Sequence, residues 1–308
     1  RSPRSARMSN VPDTAPAGMQ GVIQHEQLDQ VRAGDDAPRA AKPQRHASDY
    51  VAPVIGFAGF IGFWYFMSYW GLKHIWNKPS FLITAPHRVI NDSFIQEKSR
   101  TALLNGLYWT ARVSIQGLII AIVLGMALAI VMSQARWLER SIWPYLVAMQ
   151  AIPILALVPI IGSIFGFEIP SRIFVCVLIS LFPIVSNTLF GLLSAERGQH
   201  DLFTLHHVSR WTRLTKLQLP NAMPTIFTGF RIAAGLSVIG AIVGEIFFKR
   251  GDKGVGILLD SYRSRAQFPQ MYGALILAAA LGIVVFIIFG WLNNLVVGRW
   301  YESTRKSG

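Results

Sequence analysis

The residues of this chain that could bind a metal or act as nucleophiles are few, and their spacing completes no known site. His200, His206 and His207 fall within eight residues, and imidazoles so close together could ligate a metal ion. Asp201 is the one aspartate beside them and no cysteine is near, so the pattern does not favour a metal site. Cys176 is the only cysteine of the chain, which excludes an intrachain disulfide and a cysteine-based zinc site.

Sequence motifs of the common enzyme classes do not occur either. The sequence contains no Gly-Lys dipeptide for a phosphate-binding loop, no His-Glu-x-x-His and no Gly-x-Ser-x-Gly. Residues 251–256, GDKGVG, are rich in glycine but lack the Lys-Ser end and a preceding strand, so we interpret them as a turn. We therefore predict a non-catalytic chain without a cofactor.

The elements that position these residues are long apolar segments. Only 15% of the 308 residues are charged, against about 25% in soluble domains. A helix of roughly 20 apolar residues crosses a bilayer core. Six stretches exceed that length, and they carry no charged residue except one arginine in the fifth: 51–72, 113–135, 141–167, 173–195, 217–244 and 266–298.

This pattern predicts an all-α polytopic membrane protein with six transmembrane helices. We place the spans near 51–72, 113–133, 142–163, 172–191, 224–247 and 273–297. Residues 1–50 are polar and rich in proline, so we expect a disordered tail that is not a secretory signal. The six spans form one domain, residues 51–300, followed by a short tail, 301–308. The basic residues lie in loops beside the spans, so we predict a lipid bilayer and not nucleic acid as the partner.

Small residues and prolines mark three of the spans. Pro153, Pro159 and Pro183 should interrupt the hydrogen bonding of the third and fourth helices, either improving packing or exposing carbonyls to a polar cavity. In the fifth span, small residues recur at helical spacing, which predicts close helix packing or a surface along a transport path: Gly229, Ala233, Ser237, Gly240 and Gly244.

The polar loop between the fourth and fifth spans, residues 192–220, carries the most informative pattern. Apolar residues recur every three positions in it: Leu202, Leu205, Val208, Trp211, Leu214 and Leu217. This spacing predicts a short amphipathic helical element outside the membrane. Such an element either lies on lipid headgroups or inserts into a partner's groove, with Leu202, Phe203 and Leu205 as anchors.

The same loop resembles the one that identifies permease subunits of bacterial ATP-binding-cassette (ABC) importers of the binding-protein-dependent family. Its pattern is Glu-Ala-Ala, three residues, Gly, nine residues, then Ile-x-Leu-Pro. Counted back from the Leu-Pro pair, the matching positions are Asp201, Leu202, Phe203, His207, Leu217, Leu219 and Pro220. Further stretches resemble the subgroup for sulfonates, taurine, nitrate or bicarbonate, and some vitamin precursors: 153–159, 209–211, 228–233 and 240–245.

The resemblance covers residues 51–300 and implies the type I ABC importer permease fold. It implies a homodimer in the bacterial inner membrane, two copies of a separate ATPase subunit and an extracytoplasmic substrate-binding protein. Both termini would be cytoplasmic, which the loop charges favour only weakly. A cytoplasmic coupling loop, 195–220, would dock on the ATPase through Asp201, Leu202, Phe203, Leu205, His207, Ser209, Arg210, Trp211, Leu219 and Pro220.

Two departures from the pattern bear on this loop. A glycine at the position of His207 would permit a positive φ between two short helices, which costs histidine more, so we expect a differently shaped turn. Leu202 and Phe203 replace two alanines, which requires a wider ATPase groove or a shifted helix.

Charged and polar residues within the spans supply further hypotheses. Arg231 lies near the cytoplasmic end of the fifth span, where snorkelling or an interior partner would reduce its cost. Glu245 lies at the other end of that span, and we expect it to pair with Arg112 near the outer mouth. Four polar residues could line a translocation path or simply bond neighbouring helices: Gln150, Ser186, Asn187 and Ser237.

The leading interpretation is a permease subunit for a small solute, with an organic or inorganic anion as the first candidate and a pyrimidine precursor or flavin still open. An ion-gradient-driven secondary transporter is the alternative, but it would favour acids at the bilayer midplane, and the spans hold none. An intramembrane enzyme would require a His, Asp or Ser constellation within the spans, and no histidine lies in them.

Overall fold

Every regular element in the described part of the chain is a helix, as the composition predicts. The computed structural model describes residues 48–75, 77 and 79–305. The predicted tail 1–50 lies outside these residues except for its last three positions, and the tail 301–308 is described to residue 305. The chain divides into two units, residues 1–60 and 61–308, and all sites described below lie in the second.

The α-helices follow one another with short connections. They are α1 (Ser48–Phe66), α2 (Leu72–Ile75), α3 (Pro86–Ile90), α4 (Glu97–Gln134), α5 (Arg136–Ala151), α6 (Ile154–Phe165), α7 (Ile169–Leu193), α8 (Arg197–Leu205), α9 (Arg210–Arg213), α10 (Leu219–Phe247), α11 (Val255–Ser264) and α12 (Phe268–Arg305). Three short π-helical segments join neighbouring helices or precede them: Met67–Gly71, Asn91–Ile95 and Leu214–Gln218.

Four of the predicted spans fall on long apolar helices. Among the described residues, four helical stretches are long and apolar enough to cross a membrane: Glu97–Ser133, Ile169–Leu193, Arg210–Phe247 and Phe268–Val296. They contain the predicted second, fourth, fifth and, but for its last residue, sixth spans. The first predicted span, 51–72, lies on α1 and the π-helical segment after it and stays a prediction as a membrane crossing.

The third predicted span is not one straight helix. Helices α5 and α6 pass the membrane-span test only as a pair, and they are bent by 101° at their junction. Ile152 and Pro153 are both extended there, because a proline disfavours the helical conformation of the residue before it. Helices α6 and α7 continue through Pro159 and Pro183, so these two prolines do not end a helix as Pro153 does.

Helices α7 and α10 pack closely along the stripe of small residues. A Cβ added at Gly240 would lie 2.9 Å from the Cys176 Cα, and one at Gly244 would lie 3.0 Å from the Arg172 Cα. Glycine is therefore required where the two backbones approach. Of the two interpretations of the stripe, the contacts favour helix packing.

Candidate functional site

The segment that resembles the importer coupling loop folds as two helices joined by a tight turn. Helix α8 ends with the Val208 amide donating to the Phe203 carbonyl at 3.1 Å and the His207 amide donating to the Thr204 carbonyl at 3.0 Å. His207 adopts a φ of 48°, as glycine does in this kind of helix ending. The turn therefore keeps the positive φ, and the expectation of a different turn shape is wrong at this residue.

The second helix of the segment continues into the membrane span. The Ser209 hydroxyl accepts a hydrogen bond from the Thr212 amide at 3.2 Å and so caps the start of α9. Helix α9 then passes through the π-helical segment 214–218 into α10 without a break. The single amphipathic element predicted from the sequence is therefore two helices. Its apolar residues do not all face outward, because Leu214 is buried in a core cluster with Leu192.

A side-chain hydrogen bond holds the two helices of the segment together. The Arg213 guanidinium donates to the Thr204 hydroxyl at 2.9 Å, which links α9 to α8. The Asn221 amide donates to the Ser194 hydroxyl at 3.3 Å, which links the start of α10 to the end of α7. The first bond connects the two helices of the coupling segment, residues 195–220, and the second joins the residues on either side of that segment.

Three apolar side chains of the coupling segment are largely exposed. The exposed fractions are 58% for Leu202, 75% for Leu205 and 71% for Trp211. Asp201 is also exposed, whereas Phe203 is half-buried. Of the remaining candidate residues, His207, Ser209 and Arg210 are exposed, and Leu219 and Pro220 are half-buried at the start of α10. Leu202, Leu205 and Trp211 are therefore the large apolar side chains that this segment exposes.

The turn itself supports a testable prediction. A β-branched residue at φ of 48° is strongly disfavoured, so His207→Val should destabilise the permease by about 1–2 kcal/mol. His207→Gly is the matched control and should leave stability within about 1 kcal/mol of the parent. Thermal unfolding of the purified permease measures both, and equal melting temperatures for the two variants would contradict the strain at this position.

The four polar residues proposed for a translocation path do not meet in one place. Ser186 lines a cavity of about 410 Å³ between α5 and α7, together with Arg140 and Trp143. Ser237 is instead buried and hydrogen-bonded to the Ser114 hydroxyl at 2.8 Å, linking α10 to α4. The Asn187 amide donates to the Pro183 carbonyl at 2.8 Å, and Gln150 is exposed at the end of α5.

Glu245 is the centre of a buried polar network at the other end of α10. Its side chain is 0% exposed. The Thr110 hydroxyl donates to both carboxylate oxygens, at 2.8 and 3.0 Å, and the Gly256 amide donates to Oε2 at 2.7 Å. Thr110 also accepts a hydrogen bond from the Val255 amide at 2.8 Å. Glu245 and Thr110 therefore hold the first turn of α11 against α10 and α4.

Arg172, in the first turn of α7, holds the loop that precedes α11. Its side chain is 0% exposed, and it donates three hydrogen bonds to backbone carbonyls. Nε bonds the Phe248 carbonyl at 2.8 Å, Nη1 bonds the Asp252 carbonyl at 2.8 Å, and Nη2 bonds the Arg250 carbonyl at 2.6 Å. One guanidinium thus satisfies three carbonyls of a loop between two spans, using its planar set of donors.

The structure does not bring Arg112 and Glu245 together. Among the described residues the two form no ion pair, and the Arg112 guanidinium lies over the Trp109 ring, 5.1 Å from its centroid. Arg112 is exposed, whereas Glu245 faces the helix interior. Glu245 instead accepts a hydrogen bond from Thr110, two residues before Arg112. Two residues correspond to about half a helical turn, so the side chains of Thr110 and Arg112 lie on different faces of α4.

Residues 251–254 form the turn that the sequence indicated for 251–256, and Val255 and Gly256 already belong to α11. Gly251 has a φ of 86°, and the turn leads directly into α11. A Cβ at Gly256 would lie 2.4 Å from the Ile242 carbonyl oxygen, so this glycine permits the close approach of α11 to α10. The glycine-rich pattern therefore serves packing around Glu245.

A second cluster of charges lies on α11. Asp260 accepts hydrogen bonds from Lys249 and from Arg263, the latter at 3.2 Å. The hydrogen bond from Lys249 has the largest effect on the pKa of the Asp260 carboxyl, and the one from Arg263 adds to it. Both lower this pKa from its usual value. Asp260 therefore stays ionised and adds a contact between the turn and α11.

Arg172 and Thr110 are the residues that the sequence analysis missed. Arg172 lies just before the charge-free run 173–195, at the first residue of the predicted fourth span. Its position in the sequence gives no signal of its three hydrogen bonds to the loop after α10. The three histidines, in turn, form no metal-binding group with other His, Cys, Asp or Glu residues in the described ranges.

Comparison with known proteins adds independent findings. Residues 121–300 match the family described as "Binding-protein-dependent transport system inner membrane component". The chain is 36% identical over 232 residues to the formylaminopyrimidine transport permease protein ThiX of Halalkalibacterium halodurans, a match that covers 72% of this chain and 90% of that relative.

Two further relatives and one solved structure are similar over different shares of the chain. The riboflavin transport system permease protein RibX of Chloroflexus aurantiacus is 34% identical over 54% of this chain and 62% of its own. The bicarbonate transport system permease protein CmpB of Synechococcus elongatus is 28% identical over 87% of this chain and 97% of its own. A crystal structure of an amino acid ABC transporter with histidines matches with a TM-score of 0.52 at 16% identity, covering 68% of this chain and 98% of that one.

Proposed function

We propose that residues 195–220 dock this chain on a separate ATPase subunit, because the chain belongs to the family of binding-protein-dependent transport system inner membrane components. The chain is a membrane permease subunit of the ABC transporter class, with the type I importer permease fold. Within the transporter it forms the path for a small solute and performs no chemistry itself. The ATPase, present in two copies, supplies the energy.

The observation that carries the proposal is the exposed apolar surface of the coupling segment. Leu202, Leu205 and Trp211 project from two helices that an Arg213–Thr204 hydrogen bond holds together. Burying a large apolar side chain contributes about 1.5–3 kcal/mol, so three of them provide much of a docking interface. Helix-in-groove docking uses anchors of this kind.

The fold also suggests how docking reaches the membrane helices. Helix α9 runs through the π-helical segment into α10, so a displacement of the coupling segment moves α10 as one body. Helix α10 packs closely on α7, and both contribute to the polar network at their other ends. ATPase closure would thus switch the permease between inward and outward states by rigid-body motion.

This function assigns the sides of the membrane. The coupling segment faces the cytoplasm of a bacterial cell, as do both termini, and the Glu245 network faces outward. A second copy of the chain completes the path, and an extracytoplasmic substrate-binding protein delivers the solute. The weak excess of basic residues in the loops on the coupling side supports this orientation.

For the substrate we propose a planar nitrogen heterocycle first and a small anion second. The relatives named for formylaminopyrimidine and riboflavin are 36% and 34% identical, and the one named for bicarbonate is 28% identical. Trp143, in the wall of the cavity beside Ser186, offers a stacking surface, and the lining carries one charge of each sign, Glu139 and Arg140, which favours a polar heterocycle over a simple anion.

The test is co-purification of the permease with its ATPase. Asp201→Lys with Phe203→Glu should abolish the complex, and Leu205→Glu, at the most exposed anchor, should weaken it strongly without disturbing the fold. The matched control is Ile95→Glu, an equally apolar residue, 66% exposed on the opposite side of the membrane. Undiminished association of a folded Leu205→Glu permease would overturn the docking assignment and favour a gradient-driven transporter.

A further inference from the structure

Backbone groups on both sides of Pro153, where α5 ends and α6 begins, have no hydrogen-bond partner. A helical carbonyl accepts from the amide four residues later, so the Met149 carbonyl would need the nitrogen of Pro153, which carries no hydrogen. Within the described residues, no backbone hydrogen bond reaches the carbonyls of residues 149–151, and none leaves the amides of residues 152, 154 and 155. The helix break, residues 149–155, therefore holds three unpaired carbonyls and three unpaired amides.

The helix break lies near the middle of the membrane. The apolar residues at the end of α5, up to Met149, share a core cluster with residues 181–189 of α7. Those of α6, from Ile154 on, share another with residues 175–179 of α7. The break thus lies between the two clusters, close to residue 180, which is about 16–20 Å of helix from either end of the span Ile169–Leu193.

Lipid cannot surround the helix break at this depth. Residues 150–153 and Leu155 are exposed in the chain. An unpaired backbone group in hydrocarbon costs about 2–7 kcal/mol, so six of them would outweigh the whole stability of a typical protein, about 5–15 kcal/mol. Non-helical backbone at membrane depth is tolerated only where protein buries it or where it lines a water-filled cavity.

A cavity leads toward the helix break along one face of α5. Trp143 and Ser186 line this cavity, which extends to Leu193 at the end of α7 that precedes the coupling segment. Val147 and Gln150 follow Trp143 by four and seven residues, so they lie on the same face of α5, and both are exposed. Gln150 is about 10 Å of helix beyond Trp143. The cavity and this face together connect the coupling side with the helix break.

From these observations we infer that the helix break lines the solute path at the middle of the membrane and binds the solute through its free backbone groups and the Gln150 amide. Interrupted helices near the midplane form the solute sites of other membrane transporters. That the ligand is the transported solute rests on the proposed function, whereas the contact of the break with water does not.

The groups of the helix break select the chemistry of the solute. The carbonyls at the end of α5 repel an anion, and the amides at the start of α6 repel a cation. Residues 141–167 contain no charged side chain, and Gln150 both donates and accepts hydrogen bonds. The site therefore suits a neutral molecule with donors and acceptors on one edge, as a polar nitrogen heterocycle has.

The first experiment measures whether water reaches the helix break, using the full chain in the membranes of the cells that produce it. Cys176, the one cysteine of the sequence, is buried, so an introduced cysteine reports on its own surroundings. Because maleimides react with the thiolate, which forms in water and not in hydrocarbon, a water-soluble maleimide should label Ala151→Cys and Ile152→Cys at least about tenfold faster than Ile283→Cys. Ile283 is the matched control, 59% exposed near the middle of the apolar stretch Phe268–Val296.

Labelling of both break cysteines at the slow rate of the control would show that protein, such as a second copy of the chain, covers the break, and this would overturn the inference. The melting temperature of each variant verifies its fold, and if one does not fold, the other decides. Labelling requires no ATPase, so failure of the docking proposal is a separate outcome.

The second experiment tests solute binding by protection of Ala151→Cys from the maleimide. The probes are two neutral heterocycles, riboflavin and a formylaminopyrimidine, and one anion, bicarbonate. A ligand at twice its Kd slows labelling about threefold, and we expect this of a heterocycle and not of bicarbonate. Gln150→Leu should weaken the protection about tenfold, whereas Gln267→Leu, at an exposed glutamine outside the spans, should not change it. Protection by bicarbonate alone, or by none of the probes, would overturn solute binding at the helix break.

Discussion

Arg172→Met is expected to lower the free energy of unfolding by about 2–4 kcal/mol, because it leaves the buried carbonyl of Phe248 and the part-buried carbonyls of Arg250 and Asp252 without this donor. The methionine preserves much of the apolar contact along α7, so the loss reports the hydrogen bonds. The loop 248–252 would detach from α7. Denaturant unfolding of the purified permease in detergent measures the change.

Arg112→Met is the matched control for this prediction. Arg112 is exposed and contacts the Trp109 ring, so its removal should cost about 1 kcal/mol or less. Equal stabilities of the two variants would show that Arg172 does not hold the loop. Protease susceptibility at residues 249–253 provides a second readout, since a detached loop is cleaved faster.

Glu245→Ala should be the second most damaging change, at about 2–4 kcal/mol. It removes the acceptor of the Gly256 amide and of the Thr110 hydroxyl, and it leaves a cavity in a site that is 0% exposed. Thermal unfolding measures the loss, and transport in reconstituted vesicles should fall with it, because α11 would no longer be fixed to α10.

Glu245→Gln separates the shape of the side chain from its charge. The amide keeps one oxygen for the Gly256 amide, so this variant should retain most of the stability, losing about 1 kcal/mol. A Glu245→Ala protein as stable as Glu245→Gln would rule out the role of these hydrogen bonds. Neither variant tests a pair with Arg112, since Thr110 and Gly256 donate the hydrogen bonds to the carboxylate.

Arg172 and Glu245 together hold the loop between α10 and α11. Arg172 donates to its carbonyls, while Glu245 accepts from the Gly256 amide and Thr110 from the Val255 amide, so both kinds of backbone group are satisfied by buried side chains. Within the proposed function, this loop would move with α7 and α10 when the coupling segment moves. Substitutions at either residue would then weaken the connection between the two membrane surfaces.

The sequence alone determined the features that depend on local composition. An apolar run of bilayer length must form a helix, because unpaired backbone groups are too costly in lipid, and four of the six long runs lie on long helices in the structure. The spacing from Asp201 to Pro220 likewise identified the family. It also indicated a turn near His207, because a chain reversal between two short helices depends on residues that are close together in the sequence.

Other features depended on which helices lie side by side, and only the tertiary structure decided them. The bend at Pro153 and not at Pro159 or Pro183, the burial of Arg172 and the pairing of Glu245 with Thr110 are of this kind. Thr110 and Glu245 lie 135 residues apart, and which face of α4 meets α10 follows from helix packing. Arg112, two residues on, has the right charge but lies on the exposed face, because rotation about a helix separates neighbours that a sequence places together.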